Sequence, residues 1–415
     1  MDDDPIKAKP GAARRVQPWT ISLALFAITS MVETLGVSQI SAFMPIYLQE
    51  MGLPNDAVPH WVGVMNSLIF VLGLPLVPLW GVWADKYSRK AVIVRSALVE
   101  AMVFGLVALS RQPWQLAGSL LLVGFQLGNT GVMLSALRDV TPRGRLGTAI
   151  AFFGASSPIG FAVGPALGGF MIDHLHTSIS AVYALSAAFS LGTALMLALG
   201  WREVRPKVAP TGRVLALAYG AMRGVLTDQT TRRLFTIFGI AFLARQMASP
   251  FMPLLVQHLN ASDIGLASAV ALVVGTAALI GGLISPLAGT LGDRIGFRPV
   301  LAAALVGGSV ALLFMPFETS VPWLAVNNVA YAALNASITA MIFGMLASEV
   351  PSERSSATLN LVYLPLYIAG IVGPAIGAVV VAAGVPAPFE LSGLLLALGA
   401  VFTVTRLRKG TKDSS

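Results

Sequence analysis

The chain has 415 residues, of which 56% are hydrophobic and 11% charged, with a formal net charge of +8 and a mean hydropathy of +0.78. Soluble domains carry about 25% charged residues, so a chain of this length lacks the polar surface that two or three soluble domains need. The composition describes an integral membrane protein. There is no cysteine, which excludes disulfides, thiolate nucleophiles and cysteine-held metals together.

In chain order, residues 1–18 form a tail, acidic then basic, that leads directly into a long apolar segment. The tail lacks the short apolar core and small-residue cleavage site of a removable signal peptide, so the first helix is expected to stay. A helix needs about 20 mainly apolar residues to cross the hydrocarbon core. Candidate spans fall at 19–43, 60–83, 91–110, 114–137, 147–171, 178–200, 233–256, 265–288, 299–316, 321–347, 358–383 and 387–405, twelve crossings in all. The fold class expected is all-α. It has a six-helix bundle over 19–200, a linker at 201–232, a second bundle over 233–405 and a tail at 406–415.

The basic residues test this count. With these spans, 24 of the 27 Lys+Arg fall on one side; Arg111 lies in an opposite loop, and Arg95 and Arg245 lie inside spans. The positive-inside rule places that side, with both termini, in the cytoplasm. The expected location is therefore the cell (inner, cytoplasmic) membrane, and the net charge reports topology rather than nucleic-acid binding. All seven tryptophans (Trp19, Trp61, Trp80, Trp83, Trp114, Trp201 and Trp323) sit at span ends, where amphipathic rings favour the headgroup level.

Landmarks repeat across the linker. Asp85 in "GVWADKYSRK" corresponds to Asp293 in "GTLGDRIGFRP", an offset of 208; Pro142 in "DVTPRGR" corresponds to Pro351 in "EVPSER", and Pro165 in "GPALG" to Pro374 in "GPAIG", both at 209. A nearly constant offset at three places describes two homologous halves, a construction in which transporters rock two bundles around a site at the midplane.

On these residues the chain resembles the major facilitator superfamily over essentially its whole length. The loop after the second span is similar to the family's G-x-L-x-D-R-x-G-R-R/K signature through Gly81, Asp85, Lys86, Arg89 and Lys90, with Trp83 in place of Leu and Ser88 in place of Gly. The second copy keeps Gly289, Leu291, Asp293, Arg294, Gly296 and Arg298. The resemblance implies that Gly81, Asp85, Arg89, Lys90, Asp293, Arg294 and Arg298 form a cytoplasmic latch between the halves. Charges at helix ends can pair with neighbouring helix ends and dipoles in one conformation and release them in another.

"GFAVGPALGGFMID" (160–173) concentrates four glycines and a proline in an apolar segment. Helix packing in lipid favours small residues, because bundles there are held by close contact rather than by the hydrophobic effect. Gly160, Gly164 and Gly168 recur every four residues, and Pro165 adds a bend, so the segment reads as a sliding or hinging surface. Gly373, Pro374 and Gly377 repeat it. The pattern G-x-x-x-G-P-x-x-G-G, matched by Gly160, Gly164, Pro165, Gly168 and Gly169, resembles the fifth-helix signature of the drug:proton antiporter branch. That resemblance implies export of small lipophilic or amphipathic compounds by proton antiport with alternating access. Antiporters of this branch carry a fourth-helix arginine in an R-x-x-Q-G pattern; here Gly124 precedes Gly128 by four residues and Gln126 is displaced, so that arginine is absent.

Ionisable side chains inside spans are functional candidates, and four stand out: Glu33, Arg95, Glu100 and Arg245. Glu33 lies about 21 Å beyond Trp19 at about 1.5 Å per residue, near mid-membrane, where a carboxyl is suited to loading and releasing a proton. Glu33 is expected to couple protons, its protonation competing with cationic substrate, or else to be a permanently neutral acid bonded to a neighbour; Glu100 is expected to be an auxiliary proton site or an acid paired to a neighbouring helix. Arg245 stands at the matching depth of the seventh span. Either it pairs with Glu33 across a central cavity, or it binds an anionic group such as carboxylate or phosphate. Arg95 lies near the start of the third span and is expected to snorkel to the cytoplasmic surface.

The expected substrate cavity comprises Glu33, Arg245, Gln126, Asn129, Met133, Asn328, Tyr331, Asn335, Tyr363 and Tyr367; polar, aromatic and methionine side chains suit an adaptable pocket. Asn327 and Asn360 are further polar groups in the tenth and eleventh spans. Asp173, His174 and His176, with His60 and His258, read as solvated loop residues rather than metal ligands. There is no phosphate-binding loop, Ser-His-Asp arrangement or haem signature. The chain is thus expected to be no enzyme, to need no cofactor or ATP, and to act as a monomer on a small molecule, protons and membrane lipids. Lipid flipping, proton-coupled uptake of an organic solute and a non-transporting receptor are the competing readings.

Overall fold

The computed structural model describes residues 18–206, 211–227, 229–259, 265–349 and 363–407. Residues 1–17, Pro351, Arg354, Asn360 and the tail from 408 onward lie outside them, as does the side chain of Tyr363. The described regular structure is helical throughout, as lipid requires of an open chain whose backbone groups must bond within their own segment. Twelve helices among the described residues are long and apolar enough to cross a membrane. Spans 1 to 6 are Trp19–Glu50, Val58–Lys86, Arg89–Leu109, Pro113–Val140, Arg143–Asp173 and Ile179–Gly200. Spans 7 to 12 are Thr231–His258, Leu266–Ile295, Phe297–Phe317, Val321–Leu346, Leu364–Ala383 and Ala387–Thr405. The end of the molecule carrying the loops after spans 2, 4, 6 and 8 is the basic end; the other is the far end. Between the halves, the helix Val214–Thr227 lies against span 2, where Tyr219 Oη donates to the Pro75 carbonyl at 2.7 Å and Lys86 Nζ donates to that of Gly212.

Span ends run longer than the apolar pattern alone suggests. Span 1 continues to Glu50 and span 8 to Ile295, because polar residues facing a neighbouring helix rather than lipid do not end a helix. Span 4 departs most from expectation. It is α-helical to Leu121, turns 3-10 over Leu122–Phe125, and restarts at Asn129 after Gly128, whose φ is +97°. Left-handed backbone of this kind favours glycine. The carbonyls freed at the break find donors on span 3: Ser96 Oγ bonds Gln126 O, and Arg95 Nη2 lies 3.4 Å from both Gln126 O and Leu127 O.

The glycine stripe of span 5 is a close crossing with span 1 inside the first half. A methyl at Gly160 would meet the Met31 carbonyl, one at Gly164 the Leu35 carbonyl and Ser38 Oγ, and one at Gly168 the Phe43 ring. The second half repeats the arrangement with span 11 against span 7, where Gly373 faces Gln246 and Leu243 and Gly377 faces Met247 and Phe251. Gln39, fully buried, ties the first crossing together. Its Nε2 donates to Gly164 O at 3.2 Å, and Ser186 Oγ of span 6 donates to its Oε1. A smaller apolar cluster at the basic end holds Met133 and Leu137 with Phe26 and Trp201, whose rings meet edge-on at 4.9 Å.

The halves meet through span 5 against span 8 and span 2 against span 11. The surface that joins them on span 5 is formed by Pro158, Ala162 and Gly169, which face Gly282, Gly275 and Ala267 of span 8. Hydrogen bonds between halves lie at mid-depth and at the far end. Ser67 Oγ donates to Ile371 O at 2.8 Å, and the Ser268 backbone N–H donates to Asp173 Oδ2 at 2.6 Å. Gln49 and Gln257 exchange amide bonds at 3.3 and 3.2 Å. These two glutamines are 208 positions apart, so the pair joins equivalent sites of the repeat.

Candidate substrate cavity and acidic cluster

A cavity of about 350 Å³ opens between the halves, walled chiefly by spans 5, 7, 8 and 10. Arg245 reaches it from span 7, 14 residues beyond Thr231, or about 21 Å along a helix of 1.5 Å rise per residue. Span 10 contributes Asn328, Tyr331 and Asn335, whose 3-4 spacing places them on one helix face. Asn328 Nδ2 is held by the Val273 carbonyl of span 8 at 2.9 Å. The apolar wall includes Phe161, Met252, Leu312 and Phe389, and small residues of span 8 (Ala277, Ala278 and Gly281) keep the space open.

The first half contains a separate polar cluster. Asn129, the first residue after the span 4 break, donates from Nδ2 to Glu33 Oε2 at 2.9 Å. Glu100 of span 3 is 2% exposed, and its Oε1 has no hydrogen-bond partner. Spans 1 and 3, which carry Glu33 and Glu100, pack against each other. Neither carboxyl forms an ion pair among the described residues. The Nε2 of Gln126, beside them on span 4, is also buried without a partner.

Of the expected cavity residues, Arg245, Asn328, Tyr331 and Asn335 come together in this space. Glu33, Gln126 and Asn129 belong to the acidic cluster instead, and Met133 packs in the apolar cluster at the basic end. Tyr367 lies against Phe70 of span 2, ring centroids 6.0 Å apart. The sequence groups residues of spans 1, 4, 7, 10 and 11 into one cavity lining because it orders residues along a helix but not around the bundle. Glu33 and Arg245 do not pair here: neither is in an ion pair among the described residues, and Glu33 Oε2 accepts from Asn129 instead. Arg95 turns inward rather than snorkelling: its guanidinium carbon is 3.7 Å from the Trp80 ring centroid, in the range of a cation–π contact.

The charged loop after span 2 is tied within the first half. Arg89, 3% exposed, bonds Asp85 at 2.8 Å and Asp139 of span 4 at 2.7 Å. Glu203 accepts from the Arg89 N–H at 3.0 Å and from Ser88 Oγ, while Lys90 Nζ donates to Trp201 O. Gly81 has open space around it, and Asp293 and Arg294 of the second copy are exposed, with Arg298 partly buried. Asp139, Gln39 and the Gln49–Gln257 pair escaped the sequence reading; only the 208 offset of the glutamines could have flagged the last. Asp173 caps span 8, and no group of three metal-binding side chains occurs among the described residues.

The family description of the Major Facilitator Superfamily matches residues 26–238 and again 234–415, one match per half. The chain is similar to multidrug resistance protein MdtG of Enterobacter lignolyticus, 27% identical with 94% of this chain and 93% of the relative covered. MdtG of Klebsiella pneumoniae is 26% identical over 96% of each. Among solved structures, a bacterial homologue of the human lysosomal transporter Spinster, inward-facing and occupied, superposes with a TM-score of 0.78 at 14% identity, covering 95% of this chain and 98% of that one. The human organic anion transporter MFSD10 gives 0.68 at 17%, with 94% and 100% covered. With both halves matched and the fold shared, this chain belongs to the major facilitator superfamily and is a transporter rather than an enzyme.

Proposed function

We propose that the chain exports small amphipathic molecules from the cytoplasm in exchange for protons. The two halves rock about the central cavity, opening it to each side of the inner membrane in turn. Both termini lie in the cytoplasm, following the basic residues. The observation that carries this reading is the separation of two sites: a buried carboxyl, Glu100, and a half-buried one, Glu33, neither with a cation partner among the described residues, and a ligand-sized cavity between the halves. Two acids in one low-dielectric pocket cannot both ionise cheaply, so one of them holds an exchangeable proton. Glu33 is the carrier, because its carboxylate is bound to Asn129 at the break in span 4. Protonation weakens that bond and frees the lower half of span 4 to move. Similarity to relatives named for multidrug resistance supports export. The charged loops at the basic end, tied within the first half here, pair across the halves as a cytoplasmic latch in the opposite state, and the crossings of spans 1 with 5 and 7 with 11 hold each half rigid while it tilts. The chain acts as a monomer.

Full-length protein reconstituted in liposomes tests this, with an imposed proton gradient and simultaneous readings of an amphipathic dye and internal pH. Dye and protons should move in opposite directions, and Glu33→Gln should abolish the response of dye movement to the gradient. Dye export by Glu33→Gln that still follows the gradient fully would remove the Glu33 assignment. Dye movement by the unmodified protein without proton movement would remove antiport.

A further inference from the structure

We propose that the substrate carries an acid group, a carboxylate or phosphate, that docks on Arg245 and the Tyr331 hydroxyl, with an apolar body against the wall of the cavity. This rests on the transport reading above and names its substrate class. Three observations converge. Among the described residues, Arg245 is the one charged side chain lining the cavity, and no Asp or Glu lines it. Its guanidinium makes no hydrogen bond or ion pair among the described residues; its aromatic neighbour is Phe242, one turn away on the same helix at 6.0 Å. Tyr331 is 9% exposed, yet its hydroxyl is buried with no hydrogen-bond partner among the described residues.

An arginine at mid-membrane is expensive unless it is paired, and a buried orphan hydroxyl costs free energy until something bonds it. The partner that the chain offered at matching depth, Glu33, is engaged by Asn129. The remaining way to satisfy both groups is a ligand that accepts hydrogen bonds and brings negative charge. A carboxylate or phosphate matches the planar fork of the guanidinium and leaves an oxygen for Tyr331. Asn335 in the same wall supplies a further amide donor. Met252, Leu312 and Phe389 take the apolar body. A permanently cationic compound meets a positive field with nothing to offset it.

Purified full-length protein in nanodiscs of zwitterionic phosphatidylcholine, a bilayer of no net charge, tests this by equilibrium binding, without any gradient. The probes are dansylglycine, its methyl ester and dansylcadaverine, which share one fluorophore and carry negative, zero and positive charge. Dansylglycine should bind at least tenfold more tightly than the other two. Arg245→Gln should remove that preference, and a thermal-unfolding midpoint close to that of the unmodified protein reports that the variant is folded. Arg245→Lys should restore part of the preference, and Tyr331→Phe should weaken the acid alone severalfold. Displacement by benzoate assigns the acid group to free organic anions, and displacement by lysophosphatidate in the disc assigns it to a lipid headgroup; either supports the shared chemistry. Equal binding of acid and ester, or an acid preference that survives Arg245→Gln, overturns it. Because binding is read at equilibrium, anion binding without proton exchange would remove antiport and leave this inference standing. Gradient-driven dye export without an Arg245-dependent acid preference would do the reverse.

Discussion

Gly164→Ala should destabilise the protein while the chemically identical Gly192→Ala should not. A methyl at Gly164 points at the Leu35 carbonyl, whose carbon would be 3.1 Å away, and at the Ser38 hydroxyl. The hydroxyl can rotate aside but the backbone carbonyl cannot, so span 1 itself must shift. Overpacking costs about 1–3 kcal/mol. Disturbing the Gln39–Gly164 bond adds about 1 kcal/mol, and the helix preference of alanine returns about 1 kcal/mol. The net loss is about 1–3 kcal/mol. At Gly192, on the outer face of span 6, an added methyl meets nothing within 4 Å, so the alanine preference acts alone and stability holds or rises by up to about 1 kcal/mol. Thermal unfolding in detergent, followed by intrinsic fluorescence, compares the two. Midpoints that shift together, or a Gly164→Ala midpoint at or above that of the unmodified protein, would show that the stripe is not a close crossing.

Gly128→Ala forces a side chain into φ of +97°. That strain, of about 1–2 kcal/mol, should lower the melting midpoint and, by straightening the span 4 break, slow transport by a larger factor than it lowers protein yield. Arg89→Ala leaves Asp85 and Asp139 facing each other without their cation; with both acids partly exposed, a loss of about 1–2 kcal/mol is expected, read as a lower midpoint that Asp139→Asn partly reverses in the double variant. Asp173→Asn removes the charge that accepts the Ser268 N–H at the start of span 8, a contact of about 1 kcal/mol, and should shift the population about fivefold toward far-end opening. The chain has no cysteine of its own, so a single cysteine at Gln49 reports that opening by its labelling rate.

Much of the fold was legible in one dimension. Span number, the two halves and the basic side follow from apolar length, charge side and a constant repeat offset, and these act along the chain. The same holds for Asn328, Tyr331 and Asn335, which share a face because they belong to one helix. Residues on different helices were another matter. Glu33 and Arg245 stand at similar distances along their spans, yet they belong to different sites, and that similarity alone makes them look like partners. The glycines of span 5 were recognisable as a packing surface, but their partner is span 1 within the same half, while Pro158, Ala162 and Gly169 form the contact between halves.

The amino-acid order by itself determined that this chain spans the bilayer twelve times as a duplicated bundle, because hydrocarbon demands long apolar helices and a fixed placement of positive charge. Only the tertiary structure decided which polar groups meet. It drew Arg95 to the broken fourth span, Asn129 to Glu33 and Arg89 to Asp139, and it left Arg245 and the Tyr331 hydroxyl unpaired in the cavity. The physical reason is that charges and hydrogen bonds act over a few ångströms, and neighbours at that range in a helical bundle are set by the rotation and packing of helices distant in sequence.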